Sequence, residues 1–452
     1  MANVAPIPAQ GFEIDVDTLI IGAGAAGMVA ALAAHEKGRE VLVIEADPVP
    51  SGSTALSAGL IPAAGTKVQQ AAAIDDSAER FAADIQAKAK GQNDPALVRA
   101  MTEQIAPVID WLGLRHGLEF SVVDDFDYPG HSRRRMHGLA NRAGSALVDA
   151  LRAACEREGI DIICHRRAKI LFHEGKEIAG VMTEAPDGPE LIGCQRLILA
   201  CNGFGGNRDM VARYLPDIRD GVWFGHDGNR GEAVQWGEAL GAETRHLGAF
   251  QGHGNVAHPH GILITWAVIM EGGIQVNTDG HRFWDETQGY SEAARAVLAE
   301  PGGVAFAIFD ERIAGIARQF ADFRLAEAQG AIIMTQSAAE LAKRLDLPLE
   351  ALEASLREAN GQGVDRFGRD FSGKGLSTPL CAVRVTGALF HTQGGLRTNG
   401  DARVYHQDGS LFPNLFACGG AACGVSGTGD SGYLSGNGLL SAVALGHAAG
   451  SA

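Results

Sequence analysis

A glycine-rich turn near the N-terminus constrains the fold of this chain more than any other feature. The apolar run Val16–Ile21 is followed by Gly-Ala-Gly-Ala-Ala-Gly at 22–27, a helical stretch to Lys37 and a second apolar run, Val41–Ile44. A strand, a turn with this glycine spacing, a helix and a second strand form a dinucleotide-binding unit, in which the helix N-terminus faces the pyrophosphate. The sequence therefore predicts an α/β protein built on a Rossmann-like domain.

Each glycine of the turn has its own expected task. Gly22 permits the tight turn, Gly24 lets the backbone approach a pyrophosphate, and Gly27 lets the helix pack closely on the strand. Glu45 follows about 20 residues further on, where dinucleotide sites have an acid that binds the ribose hydroxyls. Because strand, helix and acid occur in this order, we predict a dinucleotide site rather than a chance glycine turn.

Further segments have the composition of cofactor-contacting loops. Ser51–Leu60 is a run of small residues and hydroxyls, which lets a flat ring pass close to the backbone and offers hydrogen bonds. Leu197–Asn207 and Leu415–Gly420 are apolar strands that break into glycines. Gly-Asn-Gly at 436–438 opens a last helix, whose N-terminus would favour a developing negative charge.

Periodicity predicts the elements between these loops. Apolar spacing indicates helices within 68–112 and near 143–157, and alternation indicates a small antiparallel sheet over 161–196. The first strand of that sheet, which contains Ala168, is expected to run past the adenosine of the cofactor.

The chain changes character near residue 251, and glycine-rich, cofactor-like sequence returns near residue 387. We therefore predict a cofactor-binding domain split into 1–250 and 387–452, with an inserted α+β cap domain over 251–386. Within the cap, 306–360 is expected to be largely helical with a break at Pro348.

Charge and cysteine content restrict the partners and the location. The formal net charge of −16 argues against nucleic acid and anionic membrane surfaces as partners. No apolar run reaches the length of a membrane span, and the N-terminal segment lacks a signal-peptide pattern. None of the seven cysteines lies in a CxxC pair or a CxxCH haem site, so we expect no metal. Scattered thiols suggest a reducing compartment, and we predict a cytoplasmic location.

Six motifs in the same order resemble the flavoprotein superfamily of fumarate reductase, succinate dehydrogenase and 3-ketosteroid dehydrogenases. They are the glycine turn at 22–27, Ser51–Gly59, 199–207, 276–283, His391–Gly395 and 419–439. The resemblance implies an FAD-dependent oxidoreductase acting on CH–CH groups, with a split FAD-binding domain, a cap over the flavin and hydride transfer at flavin N5.

The resemblance also carries FAD contacts onto residues of these motifs. They are Gly22, Ala23, Gly24, Ala26, Gly27, Glu45, Ala46, Ser51, Gly52, Ser53, Thr54, Ser57, Ala58, Gly59, Ala168, Ala200, Asn202, Gly203, Gly419, Gly420, Ser435, Asn437 and Leu439. Family members with covalent flavin have a histidine where this chain has Ser53, so we expect noncovalent FAD. The acid that these flavoproteins often carry after the last strand-to-glycine turn is Gly420 here.

The substrate side departs from the fumarate reductases. Their cap Thr-Glu pair is matched by Thr265-Trp266, and a nearby cap arginine is matched by Ile269. The arginine that donates their proton becomes Tyr290, and their C-terminal arginine clamp becomes Tyr433. A buried carboxylate is costly unless it is paired, and these side chains cannot pair it. The apolar site with phenols is similar to that of the ketosteroid dehydrogenases, which have tyrosines at both positions.

Two phenols and two histidines are therefore the catalytic candidates. Tyr433, helped by the backbone amide of Asn437, would donate to a substrate carbonyl as in an oxyanion hole, or it only packs on the flavin. Tyr290 would remove the adjacent proton, or it is a surface aromatic of the cap. His391 would position the carbonyl, tune a tyrosine or only fill a Gly-Gly turn. His253, which also matches a substrate-site histidine of the fumarate reductases, would be catalytic or structural.

We expect Thr265, Trp266, Ile269 and Asn437 to contact the substrate. The favoured reaction is desaturation of a cyclic or apolar ketone next to its carbonyl, with electrons leaving to an unidentified acceptor. The first alternative is an ene-reductase or dehydrogenase acting on a carboxylic acid, with the arginines at 133–135 in place of the missing clamp. Those arginines would otherwise pair the aspartates at 124–127. The second alternative is a non-catalytic flavin-binding protein.

Overall fold

A computed structural model describes residues 3–124, 128–361 and 363–452. Its strands are β1 Asn3–Pro6, β2 Ile14–Ile21, β3 Val41–Ile44, β4 Ile61–Pro62, β5 Ser121–Val122, β6 Met136–Gly138, β7 Asp161–Ile163, β8 Arg167–Glu174, β9 Glu177–Ala185, β10 Gly188–Leu199, β11 Val222–Trp223, β12 Thr244–Arg245, β13 Phe250–Ala257, β14 Ile262–Leu263, β15 Ile274–Val276, β16 Val304–Asp310, β17 Ile332–Thr335, β18 Leu380–Thr392, β19 Gly395–Leu396, β20 Arg403–Tyr405 and β21 Leu411–Ala417. Its helices are α1 Ala25–Glu36, α2 Gly52–Ala55, α3 Lys67–Ala71, α4 Ala78–Lys88, α5 Pro95–His116, α6 Gly144–Arg157, α7 Arg208–Tyr214, α8 Glu232–Leu240, α9 Ala267–Met270, α10 Tyr290–Leu298, α11 Glu311–Ala317, α12 Ala321–Ala328, α13 Ala338–Leu345, α14 Leu349–Ala359 and α15 Asn437–Ser451.

The chain folds into two compact units, each made from separate stretches of sequence. The first comprises the chain up to Leu215, Gly225–Phe250 and His391–Ala452, and the second comprises Pro216–Phe224 and Gln251–Phe390. The second unit therefore extends beyond the predicted 251–386, because the short strand β11 pairs in parallel with the far end of β18.

The first unit is organised around a mixed sheet, which has nine strands among the described residues. Strands β10, β2, β3 and β7 lie side by side and are parallel, and β21 adds to β10 from the C-terminal part of the chain. This parallel centre confirms the predicted α/β class. The predicted small antiparallel sheet over 161–196 exists as β8, β9 and β10, but it continues into the main sheet through β10.

Helix α1 is buried from Ala25 to Ala34. It packs on α15 with almost no space between the two helices. A Cβ atom added at Gly446 would lie 2.6 Å from the carbonyl oxygen of Ala26, and one at Gly450 would lie 2.2 Å from that of Ala30. Such close contact is possible only because α15 presents glycines to α1.

The second unit is built on a sheet of order β14-β13-β18-β16-β15, with β11 and β17 also paired to β18. The prediction of a largely helical 306–360 was wrong at two places, because Val304–Asp310 and Ile332–Thr335 are strands. The break at Pro348 is confirmed, since α14 begins directly after it. Across the described residues we find no helix that is both long and apolar enough to cross a membrane.

Candidate active site

The glycine turn is held in place by Glu45 and Thr54. The Glu45 carboxylate accepts the backbone N–H of Ala23 at 2.8 Å through Oε2 and that of Asp47 at 2.9 Å through Oε1. The Thr54 hydroxyl accepts the N–H of Ala25 at 3.1 Å. An ionised carboxylate has further acceptor capacity on both oxygens, so Glu45 can still bind ribose hydroxyls.

Gly24 and Gly27 meet different surroundings in this turn. A Cβ atom at Gly27 would lie 1.9 Å from the carbonyl oxygen of Gly22, so the helix touches the turn directly. A Cβ atom at Gly24 would meet only Thr54 Oγ1, at an ordinary 3.4 Å. The space above Gly24 is therefore open, which fits the close approach of a pyrophosphate.

We expect a side chain at Gly24 to prevent FAD binding and a side chain at Gly27 to prevent folding. Gly24→Val should fold with a melting temperature near that of the parent and yet lose most of its FAD, because the side chain occupies the space for the phosphates. Gly27→Val should fail to fold, because the helix cannot move off the turn. Flavin absorbance per protein and thermal unfolding measure both effects. Parent-like flavin content in Gly24→Val would contradict the assignment.

In the superfamily that this sequence resembles, members with covalently bound flavin have a histidine at the position of Ser53. The Ser53 hydroxyl oxygen accepts two amide N–H groups, from Asn202 and Asn229, each at 2.8 Å. The Asn202 side chain leaves no room at the neighbouring turn, since a Cβ atom at Gly420 would lie 2.1 Å from Asn202 Oδ1. Position 420, where the sequence comparison leads one to expect an acid, is therefore a glycine, and the Asn202 side chain occupies the adjoining space.

We expect acid precipitation to release the flavin of this protein into solution. A serine hydroxyl at position 53 that is held by two amides offers no nucleophile comparable to an imidazole. Absorbance of the supernatant and of the redissolved pellet measures the release. Flavin that stays with the denatured chain would refute noncovalent binding.

The residues present fit an FAD molecule in the first unit, to which all of the predicted FAD contacts belong. The Asn437 side chain is completely buried, and among the described residues its Oδ1 has no hydrogen-bond partner. An orphaned buried acceptor is costly unless a bound group donates to it. The oxidised isoalloxazine ring carries one N–H group that can do so.

Tyr433 and His391 lie together beside the start of α15. Their rings meet edge to face, with centroids 5.5 Å apart. Burial raises the pKa of Tyr433 well above its usual range, more than the facing N–H groups of Gly436 and Gly438 lower it. Burial also lowers the pKa of His391 to about 4. Near neutral pH both groups are therefore uncharged, and the phenol can act as a hydrogen-bond donor.

The backbone amide of Asn437 does not have the role predicted for it. Its N–H donates to the carbonyl oxygen of Leu434 at 3.0 Å, so it is not available to a substrate oxygen in this structure. The amides that face the phenol come instead from Gly436 and Gly438. They act on the hydroxyl oxygen of Tyr433 and make the phenol a better donor.

The second unit holds a stack of rings around His253. The imidazole is parallel to Tyr290 at a centroid distance of 5.1 Å and to Phe390 at 5.4 Å, and Phe224 continues the stack on Phe390 at 4.8 Å. Trp266 meets His253 edge-on at 5.7 Å. Burial lowers the pKa of His253 to about 3, so this ring is also neutral.

Gly254 brings Tyr290 onto His253, because strand β13 packs directly against helix α10. A Cβ atom at Gly254 would lie 2.4 Å from the carbonyl carbon of Ala293. Next to it, the N–H of Gly252 donates to the hydroxyl of Ser291 at 2.9 Å and fixes the first turn of α10.

We expect Gly254→Ala to lower the free energy of unfolding by about 1–3 kcal/mol, the usual cost of overpacking, and to loosen the ring stack. Urea unfolding measures the first effect and turnover the second. Gly315→Ala in α11 is the matched control, because nothing lies within 4 Å of its added methyl group. Equal stability of the two variants would contradict the packing argument.

Three of the predicted substrate contacts, Thr265, Trp266 and Ile269, lie in the same unit as the ring stack. Trp266 is 6% exposed, and among the described residues its buried Nε1 has no hydrogen-bond partner. Ile269 belongs to the hydrophobic core of the unit and is 1% exposed. Thr265 is half-buried, and its hydroxyl accepts the N–H of Ala267 at 3.3 Å.

The arginines proposed as a substitute anion clamp lie in the first unit. Arg135 is completely buried and pairs with Asp76 at 2.9 Å and Asp84 at 2.5 Å, whereas Arg133 and Arg134 are exposed. Of the aspartates suggested as partners, those at 125 and 127 lie outside the described residues. Arg135 therefore has a structural role in this loop.

The FAD binding domain family matches residues 17–439. This chain belongs to that family. FAD is its cofactor, and the protein is an FAD-dependent oxidoreductase whose relatives act on carbon–carbon bonds.

This FAD-binding chain is similar in sequence or in fold to several known oxidoreductases. A probable fumarate reductase of Shewanella frigidimarina is 30% identical over 98% of this chain and 75% of its own length. The open conformation of a flavocytochrome c3 fumarate reductase matches with TM-score 0.83 and 29% identity, over 98% of this chain and 78% of that one. A 3-ketosteroid-Δ4-(5α)-dehydrogenase from Rhodococcus jostii matches in fold, with TM-score 0.82 and 23% identity, over 100% and 99% of the two chains. The resemblance that the sequence motifs indicated is confirmed.

Sequence reasoning missed two polar residues of this FAD-binding protein. The Gln393 side chain lies 2.8 Å from Nδ1 of His391, and Ser426 donates to Gln393 at 2.6 Å. The available signal for Gln393 was its position two residues after His391, directly beyond the end of β18. Ser426 lies in a glycine-rich loop with no periodicity, so nothing in the sequence marked it.

Proposed function

We propose that this FAD-dependent oxidoreductase desaturates a cyclic or otherwise apolar ketone next to its carbonyl. The observation that carries the proposal concerns arginine. Every buried arginine among the described residues, namely Arg135, Arg282 and Arg369, is paired with carboxylates of the protein. A buried dicarboxylate substrate would need such a cation for itself.

In the second unit, each buried arginine is held by carboxylates of the protein. Arg282 Nη2 lies 2.6 Å from Glu286, and its Nη1 also contacts Asp365. Arg369 lies 3.0 Å from Glu286 and donates to the carbonyl oxygen of Ile269 at 2.8 Å. The positions that match the acid and arginines of the fumarate reductases hold aromatic or aliphatic side chains, which suits an apolar substrate.

In the proposed reaction, Tyr433 donates a hydrogen bond to the ketone oxygen and stabilises the enolate as it forms. His391, neutral and in contact with Tyr433, is a second donor to the same oxygen. Tyr290 takes the proton from the carbon next to the carbonyl, and the stacked His253 holds the phenol in position. Tyr290 accepts this proton as its phenolate. Because the reference pKa of a phenol is roughly 10, the site must favour the phenolate or the carbonyl must be strongly polarised. Bound FAD supplies the acceptor for the hydride that leaves the neighbouring carbon.

A second candidate is reduction of an unsaturated carboxylic acid. It is favoured by the 30% identity to a probable fumarate reductase and by the two histidines. In that reaction the histidines would donate to the carboxylate, without a buried arginine to balance its charge.

Anaerobic flavin spectra with different substrates test the proposal. A panel of saturated cyclic ketones, 3-ketosteroids included, should bleach the oxidised flavin, and the matching enones should reoxidise the reduced flavin. Succinate and fumarate should act at least tenfold more slowly. If fumarate reoxidises the reduced flavin as fast as the best enone, ketone desaturation is the wrong function and reduction of an unsaturated carboxylic acid takes its place.

A further inference from the structure

A chain of three hydrogen bonds leads from the last helix to the His391 imidazole. Asn437 Nδ2 donates to Ser426 Oγ at 3.0 Å, Ser426 Oγ donates to Gln393 Oε1 at 2.6 Å, and Gln393 Nε2 lies 2.8 Å from His391 Nδ1. Asn437, Ser426 and Gln393 are all buried, with at most 6% of each side chain exposed. Water therefore does not compete for these groups.

The chemistry of each group sets the direction of the chain. An amide nitrogen only donates, and a hydroxyl has a single proton. Ser426 accepts from Asn437 and so gives its proton to the Gln393 oxygen. Gln393 then presents its NH₂ group to His391, and Nδ1 of a neutral imidazole must be the acceptor.

We propose that Gln393 and Ser426 are positioning residues that hold His391 as its Nε2–H tautomer and so make this nitrogen the donor to substrate. The proposal deepens the proposed function, on which its substrate role rests. The Nε2 edge of the ring borders the space above Gly438, where an added Cβ atom would lie 3.1 Å from Nε2. The donor edge thus faces a position without a side chain, at the start of α15.

Because His391 is buried and neutral, its tautomer decides which ring nitrogen can donate a hydrogen bond. Burial lowers the pKa of His391 to about 4, so near neutral pH the ring carries one proton and only one of its nitrogens can donate. In the opposite tautomer Nε2 would be an acceptor and would repel a ketone oxygen. The carbonyl oxygen of Thr392 lies 3.3 Å from Nδ1 and can only accept, so it favours a proton on Nδ1, but this contact is longer than the 2.8 Å contact with Gln393 Nε2.

Nitrogen NMR of the FAD-loaded enzyme without substrate tests the proposal directly. In protein labelled with ¹⁵N-histidine, the signal that disappears in His391→Gln identifies the residue. We expect a protonated, pyrrole-type Nε2 and an unprotonated Nδ1 at neutral pH. A protonated Nδ1 in the parent enzyme would overturn the proposal, whatever the substrate proves to be.

Two variants extend the test. In Gln393→Glu the carboxylate can only accept, so the proton should move to Nδ1 and the pKa of His391 should rise. The acid limb of the kcat/KM profile should then shift to higher pH. In Ser426→Ala the Gln393 amide loses its fixed orientation, and both tautomers should appear. A single unchanged Nε2–H form in both variants would also overturn the proposal.

Ser355→Ala is the matched control for Ser426→Ala. The Ser355 hydroxyl is likewise buried, donates to the carbonyl oxygen of Gly280 at 2.8 Å and accepts the N–H of Arg282 at 3.2 Å. Its removal costs two comparable hydrogen bonds in the second unit and should leave the His391 tautomer unchanged. An equal tautomer change in Ser355→Ala would mean that general destabilisation is the cause. Because no substrate is present, failure of the ketone assignment would not alter these spectra.

Discussion

Tyr433→Phe should slow reduction of the flavin by a ketone about 10²–10³-fold, the loss seen when one oxyanion donor is removed. The phenol is buried and neutral, and the N–H groups of Gly436 and Gly438 act on its oxygen. Phenylalanine keeps the ring contact with His391 and removes only the donor. Stopped-flow reduction under anaerobic conditions, with substrate in excess, measures the effect.

Tyr214→Phe is the control for this variant. Tyr214 belongs to the same unit, and its hydroxyl donates to Glu238 at 3.0 Å. It should reduce the flavin at the parent rate. FAD content and melting temperature of both variants show whether the fold is retained. A parent-like rate in a well-folded Tyr433→Phe would mean that this tyrosine only packs.

Tyr290→Phe should slow the same step by roughly 10²–10⁴-fold, because the phenol is the group proposed to take the proton. The ring should stay stacked on His253, since stacking uses the face of the ring and not the hydroxyl. A ketone deuterated next to its carbonyl should show a larger isotope effect in the variant than in the parent, as proton removal becomes more fully rate-limiting. FAD content should not change.

The double variant distinguishes shared from separate roles. If Tyr433 and Tyr290 serve one transition state, the combined loss should be smaller than the product of the single losses. Two single variants that both reduce flavin at near the parent rate would move the catalytic assignment to His391 and His253. A strictly multiplicative loss would indicate that the two phenols contribute independently of each other.

Local motifs explain what the sequence could predict. The β2–α1–β3 unit follows from neighbouring residues, because glycine spacing, helix and acid lie within about 30 residues of each other, as in any βαβ motif. The strand Val304–Asp310 was mistaken for helix because a short, wholly apolar run has no period that separates the two states. Only its place inside a sheet makes it a strand.

Long-range polar pairing could not be predicted in the same way. Arg135 was a candidate anion clamp until its partners Asp76 and Asp84 were visible, and both are more than fifty residues away in the chain. The Asn437 amide seemed available because a helix N-terminus normally has unpaired N–H groups. A single turn that bonds it to Leu434 removed that role.

The packing of α1 on α15 has a consequence for biosynthesis. A ribosome delivers α15 about 400 residues after α1, so the apolar face of α1 that α15 covers stays uncovered while those residues are made. Nascent chains expose such surfaces to aggregation and to chaperones. Strand β21, which completes the parallel centre beside β10, also arrives late. The cofactor-binding unit of this enzyme is therefore completed only after the second unit has been made, and stable FAD capture should follow the synthesis of α15.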